Sequence, residues 1–443
     1  MKNMHWLLFA LIAPMILLVS GCPGKPSSIT KEKITLQMWI MPNSLEPVND
    51  IYKTLEGFNK KHPNIKVVVT SVDWGSAWTK LTTAATSGDA PDIVQIGSTW
   101  VGSIAATDSL LQLNDRVASV GGKDSFVPAA WTSTGLDGTV SAIPWIVDAR
   151  AIYYRKDLLQ KAGVNEADLD TWESFEKALA KLKNADLKVG KNKIYPFGIT
   201  GKNDWNVIHN LAPWIWGAGG DFLTPDSKKS ALDSEQVYNG VMFYLDLVKK
   251  GYVPLDALEL NTAQVSTSFN NGAYAMYIDG PYETRTLTTP PGQGGASESI
   301  AARHFGVAPA PKGPKGRFTF VGGSNLAIFK NSKHPNEAFE VIKYLTSFDA
   351  QVSYCKASGF LPAKLEAFND PYFSADPRRK VFKDAVKYGR SYPCIPAWGI
   401  MEPQLNRSLG IMWDYVTGKN YSPENIKKQL KLAAQEMNSI LSQ

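Results

Sequence analysis

The chain has 443 residues, 44% of them hydrophobic and 20% charged, a balance that excludes both a disordered chain and a polytopic membrane protein. Its net charge of +6 comes from 47 basic residues scattered among 41 acidic ones, which leaves no electrostatic footprint for nucleic acid. Three cysteines exclude a disulfide scaffold and a Cys-rich zinc site, while 13 tryptophans supply an unusual stock of large apolar rings with one polar edge.

Residues 1–21 read as an export leader. Lys2 supplies the positive start, and the apolar run 7–19, interrupted by Pro14, is too short to span a membrane. The run ends in Val19-Ser20-Gly21-Cys22, which looks like a bacterial lipobox, so Cys22 is expected to carry lipid and anchor the chain outside the cytoplasm. The small polar stretch 22–33 reads as a tether. In an oxidising compartment Cys355 and Cys394 can pair, which their spacing neither requires nor forbids.

Beyond the tether, strand and helix patterns alternate. Residues 34–39 alternate apolar and polar side chains as a strand does, and Ile51, Tyr52, Leu55 and Phe58 then fall at helical spacing until His62-Pro63. A Val-rich strand at 65–70, a helix at 78–86 closed by Gly88, and a buried-type strand at 92–96 follow. This rhythm predicts a layered α/β fold with a largely parallel sheet. Further on, Asp170 and Glu173 mark the start of a helix running to about Lys183, and 236–250 reads as another. The Pro/Gly-rich stretches 284–299 and 309–316 read as loops. Ala338, Val341, Ile342 and Leu345 form a helical stripe, and Ser422-Pro423-Glu424 opens the last helix.

Catalytic constellations are missing. There is no H-E-x-x-H, C-x-x-C, G-x-x-x-x-G-K-[ST] or G-x-S-x-G, and of the histidines beyond the leader, His62 and His334 precede prolines. No catalytic residue, metal site or cofactor is assigned. Aromatic residues, in contrast, recur where strands end: Trp39, Asp73-Trp74, Ser98-Thr99-Trp100, Trp145 through Asp148, Asp204-Trp205, Asp279 with Tyr282, and Trp398. Ligands of open α/β sheets bind outside the carboxyl ends of strands. Flat rings beside Asp, Asn and Ser suit a molecule with apolar C–H faces and a rim of hydroxyls, which describes a sugar. Trp78, Trp131, Trp172 and Trp413 sit in helical or turn patterns and read as packing.

The segments 57–67 (GFNKKHPNIKV) and 86–93 (TSGDAPDI) resemble the first lobe of the sugar-binding lipoproteins of ABC-type importers. Ile143-Pro144, 152–159 (IYYRKDLL), 271–282 (NGAYAMYIDGPY), Gly322-Gly323-Ser324 and 359–362 (GFLP) continue the resemblance in the family's order. It implies a two-lobed periplasmic-binding-protein fold, with lobe 1 at 34–147 and 309–358, lobe 2 at 148–308 and 359–443, and crossings near 145–150, 306–311 and 356–361. It also implies ligand contacts at Asn43, Thr99, Trp100, Asp148, Asp204, Trp205, Tyr282, Gly323 and Trp398. The implied protein is a monomeric, non-catalytic receptor that captures a mono- or oligosaccharide by hinge closure and delivers it to an ABC-type permease. Maltose-binding proteins carry charge where this chain has Pro42-Asn43 and a stacking Trp where it has Tyr282, which speaks against a maltodextrin. Two other readings stay open: a receptor for a polyamine or glycerol phosphodiester, and an exported carbohydrate-active enzyme.

Overall fold

The computed structural model describes residues 32–202 and 204–443; the leader, Cys22 and most of the tether lie outside the described residues. Among the described residues thirteen strands occur, in the order β1 (Ile34–Ile40), β2 (Ile65–Ser71), β3 (Ile93–Gly97), β4 (Ala142–Ala149), β5 (Ala151–Arg155), β6 (Lys188–Val189), β7 (Asn192–Lys193), β8 (Tyr195–Gly198), β9 (Tyr274–Asp279), β10 (Phe305–Pro309), β11 (Thr319–Ile328), β12 (Leu361–Pro362) and β13 (Gly389–Arg390). They build two main sheets, each the centre of one lobe. The larger has the order β12-β4-β11-β3-β1-β2, with β13 joined to β11, and the smaller has the order β10-β5-β9-β8.

The alternation read in the first strand sets its burial. Leu36, Met38 and Ile40 are fully buried, and β2 pairs with β1 in parallel so that Val67 lies beside Leu36 and Val69 beside Met38. β3, β4 and β5 are buried along their whole length, as strands covered on both faces must be. The sheets are less parallel than the sequence predicts. β1 runs parallel to β2 and β3, but β11 runs antiparallel to both β3 and β4, and β5 is antiparallel to β9 and β10. The reversal follows from the crossings, because β11 re-enters the larger sheet from the opposite lobe.

Arg150 alone separates β4 of the larger sheet from β5 of the smaller, and the return passage lies between β10 and β11. The third crossing differs from its expected place at 356–361. Leu361-Pro362 pairs with Val147 and Ile146 of β4, so the chain there still belongs to the larger sheet, filling an edge that β4 would otherwise leave open. The segment 359–443 is accordingly divided. The helix Pro377–Ala385 packs on β5 and β10, β13 returns to β11, and the helix Trp398–Thr417 touches helices of both lobes.

Caps move several helix ends from their expected places. The Asp73 carboxylate accepts from Gly75 N at 2.8 Å, so the third helix begins at Trp74 rather than Trp78 and ends at Gly88 with φ +75°. Thr171 and Ser174 form a reciprocal cap, so the next long helix starts at Trp172, one residue past Asp170's expected role. The loop expected at 284–299 begins inside a short helix, Tyr282–Thr286. Cys355 and Cys394 are free thiols and not a disulfide. Cys355 is buried in the principal core, whereas Cys394 packs against the separate cluster that contains Trp100 and Ile104.

Candidate functional site

A cleft of about 1590 Å³ opens between the two sheets. Its first wall comes from the carboxyl ends of β1, β2 and β3, three neighbouring parallel strands, which deliver Asn43, Trp74 with Trp78, and Thr99-Trp100 to one side. The second wall comes from the ends of β8 and β9, also parallel neighbours, which deliver Asp204-Trp205 and Asp279 to Tyr282. Four indoles gather at one end. Trp100 lies 5.7 Å from Trp74, 5.8 Å from Trp78 and 5.0 Å from Trp205, the last pair meeting edge to face across the cleft.

The floor is a buried ionic network centred on Arg150, the residue between the lobes. Its Nη2 donates to Asp148 Oδ2 and to Asn206 Oδ1, each at 2.6 Å, and its Nη1 donates to Asp279 Oδ1 at 3.3 Å and to the Tyr282 hydroxyl at 3.2 Å. The Tyr282 hydroxyl in turn donates to Asp279. Burial opposes the charge on Arg150, but Asp148, Tyr282 and Asp279 outweigh it and hold the guanidinium protonated. Burial raises the Asp148 carboxyl against the pull of Arg150, and pushes Asp279 up to about 6. Each of these two carboxylates keeps one oxygen without a hydrogen-bond partner among the described residues.

A third buried carboxyl, Glu402, reaches the cleft from the helix Trp398–Thr417. Thr99 Oγ1 donates to its Oε2 at 2.9 Å, and His209 Nε2 lies 3.7 Å from its Oε1. Glu402 is fully buried, and burial pushes it up to about 8, beyond what the Thr99 hydrogen bond and the neighbouring Trp100 indole recover. His209 stacks on Phe320 at 3.9 Å; burial, with Arg150 nearby, holds its imidazole neutral, well below the usual range. The Glu402–His209 contact is therefore one between two neutral groups near pH 7.

Of the residues expected at the site, Asn43, Trp74, Thr99, Trp100, Asp148, Asp204, Trp205, Asp279, Tyr282 and Gly323 line the cleft. Asp204 and Asn43, like Thr99, Asp148, Asp279 and Tyr282, are engaged by the protein itself. Both Asp204 oxygens accept backbone N–H groups, from Asn206 and Thr262 at 2.8 Å, which ties two helix starts together. Asn43 exchanges hydrogen bonds with the Gln95 amide at 2.9 and 3.2 Å. Trp39 and Trp398 do not line the cleft. Trp39 packs on the second core cluster, and Trp398 is fully buried, stacked on Tyr392 at 4.4 Å. Trp145 likewise stacks on Tyr354 inside the core.

Among the lining residues that the sequence reading does not reach are Trp78, Glu402 and Glu283. Trp78 was assigned to packing, although its spacing of four from Trp74 puts both indoles on one helix face, a signal the pattern did contain. Glu402 and Glu283 carried no such signal, since their importance comes from burial against segments distant in sequence.

The family described as bacterial extracellular solute-binding protein matches residues 44–352. The diacetylchitobiose binding protein DasA of Streptomyces coelicolor is 27% identical over 434 residues, covering 95% of each chain. A maltooligosaccharide ABC transporter solute-binding lipoprotein of Streptococcus pneumoniae is 22% identical, covering 95% of this chain and 93% of its own. Among solved structures, a solute-binding protein from Thermotoga lettingae bound with α-D-tagatose superposes with a TM-score of 0.79 at 24% identity, covering 92% of this chain and all of that one. The sugar-binding protein MalE of Xanthomonas citri superposes at 0.74 with 26% identity, covering 92% and 97%. With two lobes, a cleft at the carboxyl ends of their strands and a match over most of its length, the chain belongs to the bacterial extracellular solute-binding proteins.

Proposed function

We propose that this protein is an extracytoplasmic receptor that captures a mono- or oligosaccharide by closing its lobes and delivers it to an ABC-type permease. The observation that carries the reading is the cleft's composition: three half-buried indoles, Trp74 and Trp78 from one lobe and Trp205 from the other, packed around the buried Trp100, in a cleft that also holds buried carboxylates with unpaired oxygens. Indole faces cover the C–H faces of a sugar, and the unpaired acceptors take its hydroxyl protons. The relatives named for diacetylchitobiose and maltooligosaccharides agree with this class. A glycerol phosphodiester would find Arg150 engaged by four partners, and Lys202 and Arg407 already paired with Asp414 and Glu436, which leaves Arg285 as the lining cation without an ion pair among the described residues. The protein acts without catalysis, as a monomer, and is tethered through lipid on Cys22.

A thermal-shift screen against sugars, polyamines and glycerol phosphodiesters tests the reading. Binding to the native state raises apparent stability by about RT ln(1 + [L]/Kd). A shift with one sugar family and no release of reducing ends over hours is expected; a shift with a polyamine alone overturns the sugar assignment. Labelling of the expressed protein by a fatty acid, lost in Cys22→Ala, checks the anchor, and an unlabelled wild type refutes it.

A further inference from the structure

The unmet hydrogen-bonding capacity at the lobe 2 end of the cleft is weighted toward acceptors. Asp148 Oδ1, Asp279 Oδ2, Glu283 Oε1 and Asn270 Oδ1 all belong to residues lining the cleft, each more than nine-tenths buried, and none has a partner among the described residues. Asp148 Oδ1, Asp279 Oδ2 and Asn270 Oδ1 are acceptors and Glu283 Oε1 becomes one when its carboxyl ionises, against which the buried donors left without partners in the same network are Arg150 Nε and the Tyr277 hydroxyl. Glu283 Oε2 is held by Ser266 Oγ at 2.8 Å, which fixes the carboxyl in place, and Ser266 also receives Asn270 Nδ2 at 3.5 Å.

The charges are as uneven as the hydrogen bonds. Two buried carboxyls, Asp148 and Asp279, share the buried guanidinium of Arg150, and a third, Glu283, forms no ion pair among the described residues. Burial and the charge of Asp279 push Glu283 up to about 8, so near pH 7 it holds its proton for want of a second cation. A neutral hydroxyl satisfies the acceptors and leaves this deficit untouched, whereas an ammonium satisfies both. Among the described residues no three His, Cys, Asp or Glu side chains are grouped closely enough to hold a metal ion.

We propose that this pocket selects a sugar unit bearing a free amine, so that the cleft prefers an amino sugar to its neutral or N-acylated counterpart. The proposal rests on the carbohydrate reading above and names the ligand class within it. Acylation removes the positive charge and adds a carbonyl acceptor to a pocket already weighted toward acceptors. Binding of the ammonium also ionises Glu283, whose proton leaves to buffer as the cation arrives.

Calorimetric titration of the whole chain with glucosamine disaccharide, its N,N′-diacetyl form and cellobiose tests this. The free amine is expected to bind at least tenfold more tightly than either of the others. Its binding enthalpy at pH 7 should vary with buffer ionisation enthalpy as proton release requires, and that of cellobiose should not. Glu283→Gln should cut the preference to less than threefold, and Asn270→Asp, which adds a carboxylate to the same pocket, should increase it. Equal or tighter binding of the diacetyl form or cellobiose overturns the amine proposal and keeps the sugar receptor. Failure of all three sugars to bind overturns both.

Discussion

Glu402 shows how far one residue's behaviour can depart from its type. In an unfolded chain its carboxyl titrates near 4.5, whereas in the folded protein burial pushes it up to about 8. Between those values the folded state holds a proton that the unfolded state has lost, so stability falls as pH rises through that window, by about 1.4 kcal/mol per pH unit for one such group. Glu283 acts in the same direction. Glu402→Gln should therefore flatten the decline, making the variant relatively more stable at pH 8 and little changed at pH 5. Urea midpoints at the two pH values check this, and parallel declines in variant and wild type would refute it. Two cleft residues that look equivalent in sequence should also separate. Trp205 is half-buried and only edges onto Trp100, so Trp205→Ala should weaken sugar binding at least tenfold with little loss of stability. Asp148→Ala should weaken binding too, but it removes the closest carboxylate from buried Arg150 and should cost about 3 kcal/mol in denaturation.

At the scale of elements, glycines stand where the two lobes come closest. Gly359 ends the helix Phe348–Ser358 with φ +83°, and a Cβ there would lie 2.8 Å from Tyr282 Cα and from Arg285 Cβ of the other lobe. Gly359→Ala should destabilise by more than about 1 kcal/mol, since the left-handed backbone and the close approach both oppose a side chain. An unchanged urea midpoint would show that the contact is not tight. Gly323, expected as a ligand contact, has a second duty: with φ +127° it lies beside the irregularity in the β11–β4 register, where a Cβ would collide with the Ile146 carbonyl oxygen. Most elements were readable in the sequence because their signals are local. The alternation in β1, the Ser422 cap and the stripe of the helix Pro335–Leu345 involve neighbours within a few residues. The short strand β12 and the helix Trp398–Thr417 were not read, since a two-residue strand has no period and its pairing with β4 joins positions about 215 residues apart.

For the whole molecule, the single-residue joint at Arg150 and the return between β10 and β11 leave two bodies joined by few segments over a deep cleft. Such a shape closes when a ligand bridges both walls, and a swing from mostly open to mostly closed needs about 5 kcal/mol of differential contact. Saturation with the cognate sugar should reduce the radius of gyration in solution scattering, and an unchanged radius would argue against closure.

By itself the sequence determined the alternation of strands and helices, the caps that punctuate them, the absence of a catalytic motif and the supply of aromatics at strand ends, because each depends on residues close in the chain. Tertiary structure alone decided which aromatics face the ligand and which serve packing. Trp78 turned to the cleft and Trp398 to the core because neighbours from distant segments set their burial. It also decided the direction of β11, the division of the segment after 359, and the gathering of Asp148, Arg150, Asp279, Glu283 and Glu402 at one site. Carboxyl protonation follows from burial and from charges brought near by folding, and both are long-range properties that no local pattern carries.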